Sequence, residues 1–290
     1  MRYYFRENIR RYEIMTRMSL ENWAKRTYGG TDFHDFSSRN FLEAALPRLR
    51  FETPNPTALE LGTGVGPGAL FLAERGYQVT GYDLIPEAIH TAREIATLRG
   101  LSIQYEVMDV TQIPHNGNRF DLIVDSYCIN HIVFVEERRS VFESVKARLK
   151  PEGYYLVSSS VYESSRHTPD MKVIDRSTGQ TYDIYDNDCL YDPSTDYYYE
   201  PLEKYPSERE RIEACEDTIV VNGRTYIPKR CYRDWRRLQA EVGSYGFEPI
   251  FRHGEYGESS IFIHRGSGVN LVPYERYTVQ PEAVTDSFAN

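Results

Sequence analysis

The stretch "ALELGTGVGPGALFLAERGYQVTGYDL" (residues 58–84) decides the fold, because it places a glycine-rich turn between an apolar run and an apparent helix. Glycines occupy positions 62, 64, 66 and 68. A strand, a glycine turn and a helix N-terminus present backbone N–H groups to a ligand, and glycine lets that ligand approach closely. The stretch predicts a nucleotide-binding turn, and three alternatives remain: a dinucleotide, a phosphate-free adenosine cofactor, or a tight turn without a ligand.

Short apolar runs alternate with helix-length segments from residue 57 to residue 158. The predicted strands in this region are "TALEL", "YQVTGYD", "SIQYEVMD", "FDLIVDS" and "YYLVSS". Such alternation indicates a parallel sheet with helices on both faces. Two later runs, "FEPIFRHG" and "SSIFIHRG", predict a closing pair. The expected fold is therefore α/β: a doubly wound, mostly parallel seven-stranded sheet with an antiparallel closing strand.

Composition narrows the classes of function. The 290 residues carry a formal charge of −9, which disfavours a nucleic-acid partner because such binders present a basic surface. No run approaches the ~18 apolar residues of a membrane span, and the N-terminus lacks the apolar core of a secretory signal. The four cysteines have neither metal-site nor disulfide-framework spacing. We therefore expect reduced thiols, no metal and a cytoplasmic protein, with a homodimer left open.

Three acidic residues end successive predicted strands. Glu60 precedes Gly62 by two positions, where a carboxylate needs a partner because it is buried. Asp83 lies 21 residues beyond Gly62, at the spacing of an acid that accepts the ribose hydroxyls of adenosine cofactors. Asp109 follows the third strand and could face an adenine amino group. Ligands of open α/β sheets bind at these carboxyl ends of the strands.

Taken in order, "ELGTGVG", "GYDL", "MDV" and "FDLIVDS" closely resemble the class I S-adenosylmethionine-dependent methyltransferases over roughly residues 57–158. The resemblance implies that the cofactor is S-adenosylmethionine. It implies that the glycine turn and Glu60 hold the methionine end, Asp83 the ribose, and Asp109 with Val110 the adenine. The full predicted cofactor set is Glu60, Gly62, Thr63, Gly64, Gly66, Asp83, Leu84, Asp109, Val110, Asp125 and Ser126.

The predicted organisation has five parts. They are a helical lid (1–50), the cofactor-binding core (51–160), an inserted substrate cap (161–230), a closing helix and strand pair (231–266), and a tail (267–290). The insertion holds nine of the 24 tyrosines and has 15 acidic against 9 basic residues. Hairpin signals occur near Thr178-Gly179 and at Asn222-Gly223, and we find no internal repeat.

Candidate catalytic and substrate residues lie in and around "DSYCINHIVF". Methyl transfer is an in-line displacement, so the protein must hold a nucleophile against the methyl group and needs a base only if that nucleophile arrives protonated. His131 is the candidate base, since histidine titrates near neutrality, with a structural hydrogen bond as the alternative role. Candidate substrate contacts are Tyr28, Tyr127, Tyr162 and Arg166.

The predicted function is methyl transfer to a nitrogen or oxygen of a small molecule. An NAD-dependent oxidoreductase is one alternative, although its G-x-G-x-x-G/A fingerprint finds Pro67 at the third position when counted from Gly62. A count from Gly64 meets the pattern but puts the turn two residues late. A catalytically silent protein that binds the cofactor as a regulatory or scaffold module is the second alternative.

Overall fold

The structure is a computed structural model that describes residues 33, 35–162, 171–185, 188–205, 217–255 and 257–267. The helices are α1 (Arg39–Ala45), α2 (Pro67–Ala73), α3 (Pro86–Leu98), α4 (Val135–Arg148) and α5 (Trp235–Ser244). The first strands are β1 (Thr57–Leu61), β2 (Gln78–Asp83), β3 (Gln104–Val107), β4 (Phe120–Ser126) and β5 (Leu149–Ser158). The others are β6 (Lys172–Ile174), β7 (Thr181–Tyr185), β8 (Cys189–Asp192), β9 (Tyr197–Pro201), β10 (Ile219–Val221), β11 (Arg224–Cys231), β12 (Phe247–His253) and β13 (Ser259–His264).

Seven strands form the core sheet in the order β12-β13-β5-β4-β1-β2-β3. Strands β1 to β5 pair in parallel, whereas β13 pairs antiparallel with both β5 and β12. The predicted α/β fold, with its antiparallel closing strand, is confirmed. The order changes direction at β1 and β4, so the carboxyl ends of these two central strands flank the crevice in which such sheets bind ligands.

Helices α2 and α3 begin at a proline and are followed by a glycine. Proline occupies the first position of α2 and of α3, where its missing N–H costs nothing. Gly76 and Gly100 follow the ends of these helices with φ of +88° and +65°. Strand β5 begins at Leu149, five residues before the predicted run "YYLVSS", and its pairing with β4 has a register irregularity near Phe120.

A second sheet forms the inserted region, with six antiparallel strands in the order β10-β11-β9-β8-β7-β6. Both predicted hairpins are present, as β6–β7 and β10–β11. The described strands also form the antiparallel neighbours β7–β8 and β8–β9 between them. The sheet is so curved that its two edge hairpins touch: the Asn222 side chain donates to Ile174 O (2.9 Å) and accepts from Arg176 N–H (3.0 Å). Its enclosed face packs a small core of Tyr182, Leu190, Tyr199, Val221 and Tyr226.

The β6–β7 and β8–β9 hairpins of this sheet have the same turn. In "DRSTG" (175–179) and "DPSTD" (192–196), the first aspartate accepts hydrogen bonds from the serine N–H and hydroxyl and from the threonine hydroxyl. In both turns the fifth residue has a left-handed backbone, with φ of +76° at Gly179 and +67° at Asp196. The two hairpins therefore share a five-residue turn motif that sequence reasoning missed.

Candidate active site

The glycine turn between β1 and α2 is shaped by three left-handed glycines. Gly62, Gly64 and Gly66 have φ of +63°, +57° and +85°. A side chain at Gly62 would meet Cys128, whose Sγ lies 2.6 Å from the position of a Cβ, and one at Gly66 would meet the Tyr105 ring. Glycine is therefore required here by conformation and by close packing.

Glu60, at the end of β1, has its partners inside the protein. Its side chain is 2% exposed and accepts hydrogen bonds from the Thr63 hydroxyl and the Ala69 N–H of α2. The carboxylate lies over Gly68, where a Cβ would be 2.9 Å from Glu60 Cδ. Burial raises the pKa of Glu60 to about 7. These contacts explain why the acid is tolerated at this depth, and its predicted contact with the methionine end stays a prediction.

Asp83 ties the end of β2 to the glycine turn. Its carboxylate accepts from Gly64 N–H (2.8 Å) and Ile85 N–H (2.9 Å), while burial raises its pKa. The Thr63 N–H donates to Tyr82 O (2.8 Å), a second link between the same segments. Each carboxylate oxygen can accept more than one hydrogen bond, so these contacts leave capacity for the predicted ribose.

Asp109 follows β3 and caps the short 3-10 helix Val110–Gln112. Its oxygens accept from Thr111 N–H and Oγ1 and from Gln112 Nε2. Val110 is buried, and half-buried Leu84 packs against the same apolar cluster. The structure thus brings the three predicted adenine-side residues to neighbouring strand ends, although the bonds of Asp109 are local ones.

Asp125 and Ser126 end β4 and begin the His131 loop (residues 125–132). Asp125 is 1% exposed, and its Oδ1 accepts from Cys128 N–H (2.8 Å) and Ile129 N–H (3.0 Å). Its Oδ2 is buried without a hydrogen-bond partner among the described residues. Burial raises the pKa of Asp125 to about 7. Ser126 accepts from the Ser38 hydroxyl at 2.9 Å, a contact that sequence reasoning missed.

Tyr127 and His131 lie in this same loop. Tyr127 has φ of +64°, which is a strained backbone for a bulky residue, and its N–H donates to Ser158 O (2.8 Å). His131 ends the 3-10 turn Ile129–His131, is half-buried, and donates its N–H to Cys128 O (2.9 Å). Strand β11 packs against this turn, so the candidate base lies between the core and the cap sheet.

The remaining candidate substrate residues lie elsewhere. Tyr162 belongs to the cap, where its ring stacks on Tyr191 with centroids 3.9 Å apart and its hydroxyl donates to Asp183 at 3.4 Å. Tyr28 and Arg166 lie outside the described residues.

Negative charge converges on the strand ends. Desolvation, together with the charges of Asp125, Asp83, Asp109 and Glu60, in that order, raises the pKa of the Cys128 thiol well above its ordinary value. Cys128 lies directly over Gly62, so the charges of these four acids act at the glycine turn. Carboxylates that share a desolvated space repel one another, and a cationic ligand relieves that repulsion. The site is therefore suited to a cation and unsuited to a pyrophosphate.

Residues 58–153 match the family model for a methyltransferase domain. This part of the chain is therefore a methyltransferase domain. The predicted resemblance to the methyltransferases is confirmed over this domain. The buried, unpartnered oxygen of Asp125 and the surrounding carboxylates fit the cofactor, whose sulfonium and ammonium groups are both cationic.

Similar proteins have different acceptors. A phosphoethanolamine N-methyltransferase of Arabidopsis thaliana is 28% identical over 181 residues, which cover 58% of this chain and 35% of that protein. A 2-heptyl-1-hydroxyquinolin-4(1H)-one methyltransferase of Mycobacteroides abscessus is 33% identical over 114 residues, covering 39% and 49%. The match thus spans only a third to a half of the length of these relatives.

A solved structure shares the fold over most of the chain. The CcbJ methyltransferase from Streptomyces caelestis aligns with a TM-score of 0.57 and 13% identity, covering 86% of this chain and 98% of that one. In the described residues of this chain, no helix is both long and apolar enough to cross a membrane.

Proposed function

We propose that this protein transfers a methyl group from S-adenosylmethionine to a nitrogen or oxygen of a small-molecule acceptor. The observation that carries the proposal is the set of four carboxylates around the glycine turn, with one buried oxygen of Asp125 lacking a partner in the described part of the chain. When bound, the cofactor supplies a methyl group made electrophilic by the sulfonium sulfur.

The residues of the chain have distinct proposed roles. The glycine turn with Thr63 gives the cofactor close access to the backbone, Asp83 accepts the ribose hydroxyls, and Leu84 with Val110 flanks the adenine. Asp125 provides negative charge beside the methionine end. His131 accepts the proton of an acceptor that arrives protonated, and Tyr127, held in a strained conformation by its bond to Ser158 O, lines the acceptor side.

The charge of the site argues against the NAD alternative. A pyrophosphate at the glycine turn would bring its negative charges to the site formed by Glu60, Asp83, Asp109 and Asp125. Coulomb repulsion between like charges in a desolvated site costs several kcal/mol at roughly 4 Å. The glycine turn therefore suits a cofactor without phosphates.

The acceptor class rests on the relatives and on the cap. The two relatives are named for a small amine and for a small hydroxyquinolinone, which supports an acceptor of that size with nitrogen or oxygen as nucleophile. The cap sheet and the His131 loop are in contact, which supports an acceptor site between them. We retain the proposed division into lid, core, cap, closing unit and tail, and the predicted cytoplasmic location.

Isothermal titration with S-adenosylmethionine, its demethylated product and NAD tests the cofactor. We expect the first two to bind in the micromolar range and NAD not to bind. Absence of binding of the first two at ~1 mM, equivalent to only about −4 kcal/mol, would refute the proposal.

A mass-spectrometric screen of host metabolites for a +14 Da product, with labelled methyl donor, then identifies the acceptor. His131→Ala should retain cofactor affinity and lose turnover at neutral pH, whereas unchanged turnover removes His131 from the catalytic set. Tight cofactor binding without any product across the metabolite pool would instead favour the silent binding module.

A further inference from the structure

The His131 loop is held from both sides by buried charged groups. On the strand side, Asp125 accepts from the N–H groups of Cys128 and Ile129. On the helix side, Arg138 of α4, which is 1% exposed, donates from Nη1 to Ile129 O (2.6 Å) and Ile132 O (3.0 Å). These two carbonyls belong to the turn that carries His131, so Arg138 fixes the position of that turn.

The same guanidinium continues into an ionic chain. Its Nε and Nη2 donate to the two carboxylate oxygens of Glu241 on α5, at 2.8 and 2.6 Å. Arg233 Nη1 lies 3.2 Å from Glu241 Oε1, and Arg233 Nε lies 3.7 Å from Asp196 Oδ2. Asp196 belongs to the turn between β8 and β9. Asp196 also pairs with Arg237. Bidentate hydrogen bonds fix the relative orientation of the two side chains. Removing one partner of a buried ion pair is costly, because it leaves an uncompensated charge.

Asp196 connects this chain to the cap rings. Its carboxylate accepts from the Tyr191 hydroxyl at 2.8 Å, and Tyr191 is the residue on which Tyr162 stacks. A chain of hydrogen bonds and ion pairs therefore links the cap tyrosines to the His131 turn through the Asp196, Arg233, Glu241 and Arg138 side chains. Its longest step is the 3.7 Å ion pair between Arg233 Nε and Asp196 Oδ2.

Comparison of the two turns separates the backbone conformation of Asp196 from the role of its carboxylate. The equivalent residue of the twin hairpin is Gly179, and both residues have a left-handed backbone. Glycine adopts this conformation freely, whereas aspartate is strained in it. The hairpin fold requires no carboxylate at this position, since the twin forms without one. The strain at Asp196 is offset by its contacts with Arg233, Arg237 and Tyr191.

We propose that Arg138, Glu241, Arg233 and Asp196 form an ionic relay that positions the His131 loop relative to the cap. The relay fixes the position of the candidate base relative to the acceptor-facing cap, so that displacement of the cap turn changes the geometry at His131. Arg138 and Asp196 are positioning residues in this scheme. The inference rests on the proposed function only in the role given to the loop.

Hydrogen exchange of the full-length protein, read by mass spectrometry, tests the relay without knowledge of the acceptor. Asp196→Gly installs the residue of the twin turn, so the hairpin should persist while the carboxylate is lost. Arg138→Lys removes the bidentate contact. Arg148→Lys is the matched control, because Arg148 is also buried on α4 but donates to Asn118 O and Pro114 O, in the segment before β4.

In both relay variants we expect amides 128–132 to exchange about tenfold faster, the effect of losing roughly one charged hydrogen bond. The control should leave these amides unchanged and affect only those near residues 114–118. If Asp196→Gly leaves the exchange rate of the loop amides unchanged, the relay is refuted. This holds even if Arg138→Lys increases that rate, since Arg138 would then stabilise the loop only through its own contacts. Titration with the demethylated cofactor, run in parallel, reports separately on the proposed function.

Discussion

Replacement of Gly68 by alanine tests the account of the glycine turn most directly. Gly68 lies within α2 at an ordinary helical φ, so the substitution introduces no backbone strain. Its new Cβ would collide with a carboxylate oxygen of Glu60 and lie 2.9 Å from the carboxyl carbon. Glu60 is fully enclosed, so it can move only by losing its bonds to Thr63 or Ala69.

The magnitude follows from these contacts. Overpacking of a rigid site costs about 1–3 kcal/mol, and loss of a hydrogen bond to a buried group about 1–3 kcal/mol. The better helix propensity of alanine returns about 0.5–1 kcal/mol. We expect Gly68→Ala to lower the free energy of unfolding by about 3 kcal/mol, seen as a decrease of about 1 M in the urea midpoint.

Gly243→Ala provides the matched control. Gly243 is also helical, and among the described residues the only atom near the place its new Cβ would take is Arg265 Nη2, at 4.0 Å. This variant should be as stable as the parent or about 0.5 kcal/mol more stable. Glu60→Ala removes the obstructing carboxyl, so Gly68→Ala should cost much less in that background. An equal cost in both backgrounds would refute the reasoning.

Three further predictions concern the same end of the sheet. Burial raises the pKa of Glu60 and of Asp125 to about 7, above their ordinary values of 4.5 and 3.8, so the folded apo-protein binds more protons than the unfolded chain. Its free energy of unfolding, measured by urea titration, should therefore fall as the pH rises from 5 to 8. Glu60→Gln should reduce this fall. Tyr105→Phe should add about 1 kcal/mol in the same assay, because that hydroxyl is buried with no hydrogen-bond partner in the described ranges, whereas Tyr154→Phe, which loses a bonded hydroxyl, should not. Asp83→Asn should weaken binding of the demethylated cofactor about tenfold by calorimetry, and unchanged affinity would remove Asp83 from the site.

The core fold was predictable because its signals are local. Strands β1 and β2 are apolar runs next to a helix-starting proline or a helix-ending glycine, as Pro67 and Gly76 show for α2. The β8–β9 hairpin was missed because it lacks such a local signal. Its strands are short, and the left-handed position of its turn holds Asp196 instead of glycine or Asn-Gly.

The sequence predicted which residues form the candidate site better than it predicted which residues they contact. The acids at the strand ends follow from spacing, but the partners of Glu60 within α2 depend on a carboxylate packing against a glycine eight residues later. The contact of Ser38 with Ser126 joins positions 88 residues apart. Periodicity and motifs carry no information about such pairs, because they are created only by the packed tertiary structure.

The Asn222 contact that joins the edge hairpins of the cap also bears on self-association. Open edge strands offer unpaired backbone groups to other molecules, and the two edges here carry exposed apolar side chains, Ile174 at 60% and Val220 at 59%. The bonds from Asn222 to Ile174 and Arg176 hold these edges against each other. We therefore expect this single side-chain amide to limit the access of other chains to the edges of the cap sheet, and its loss to favour self-association in concentrated solution.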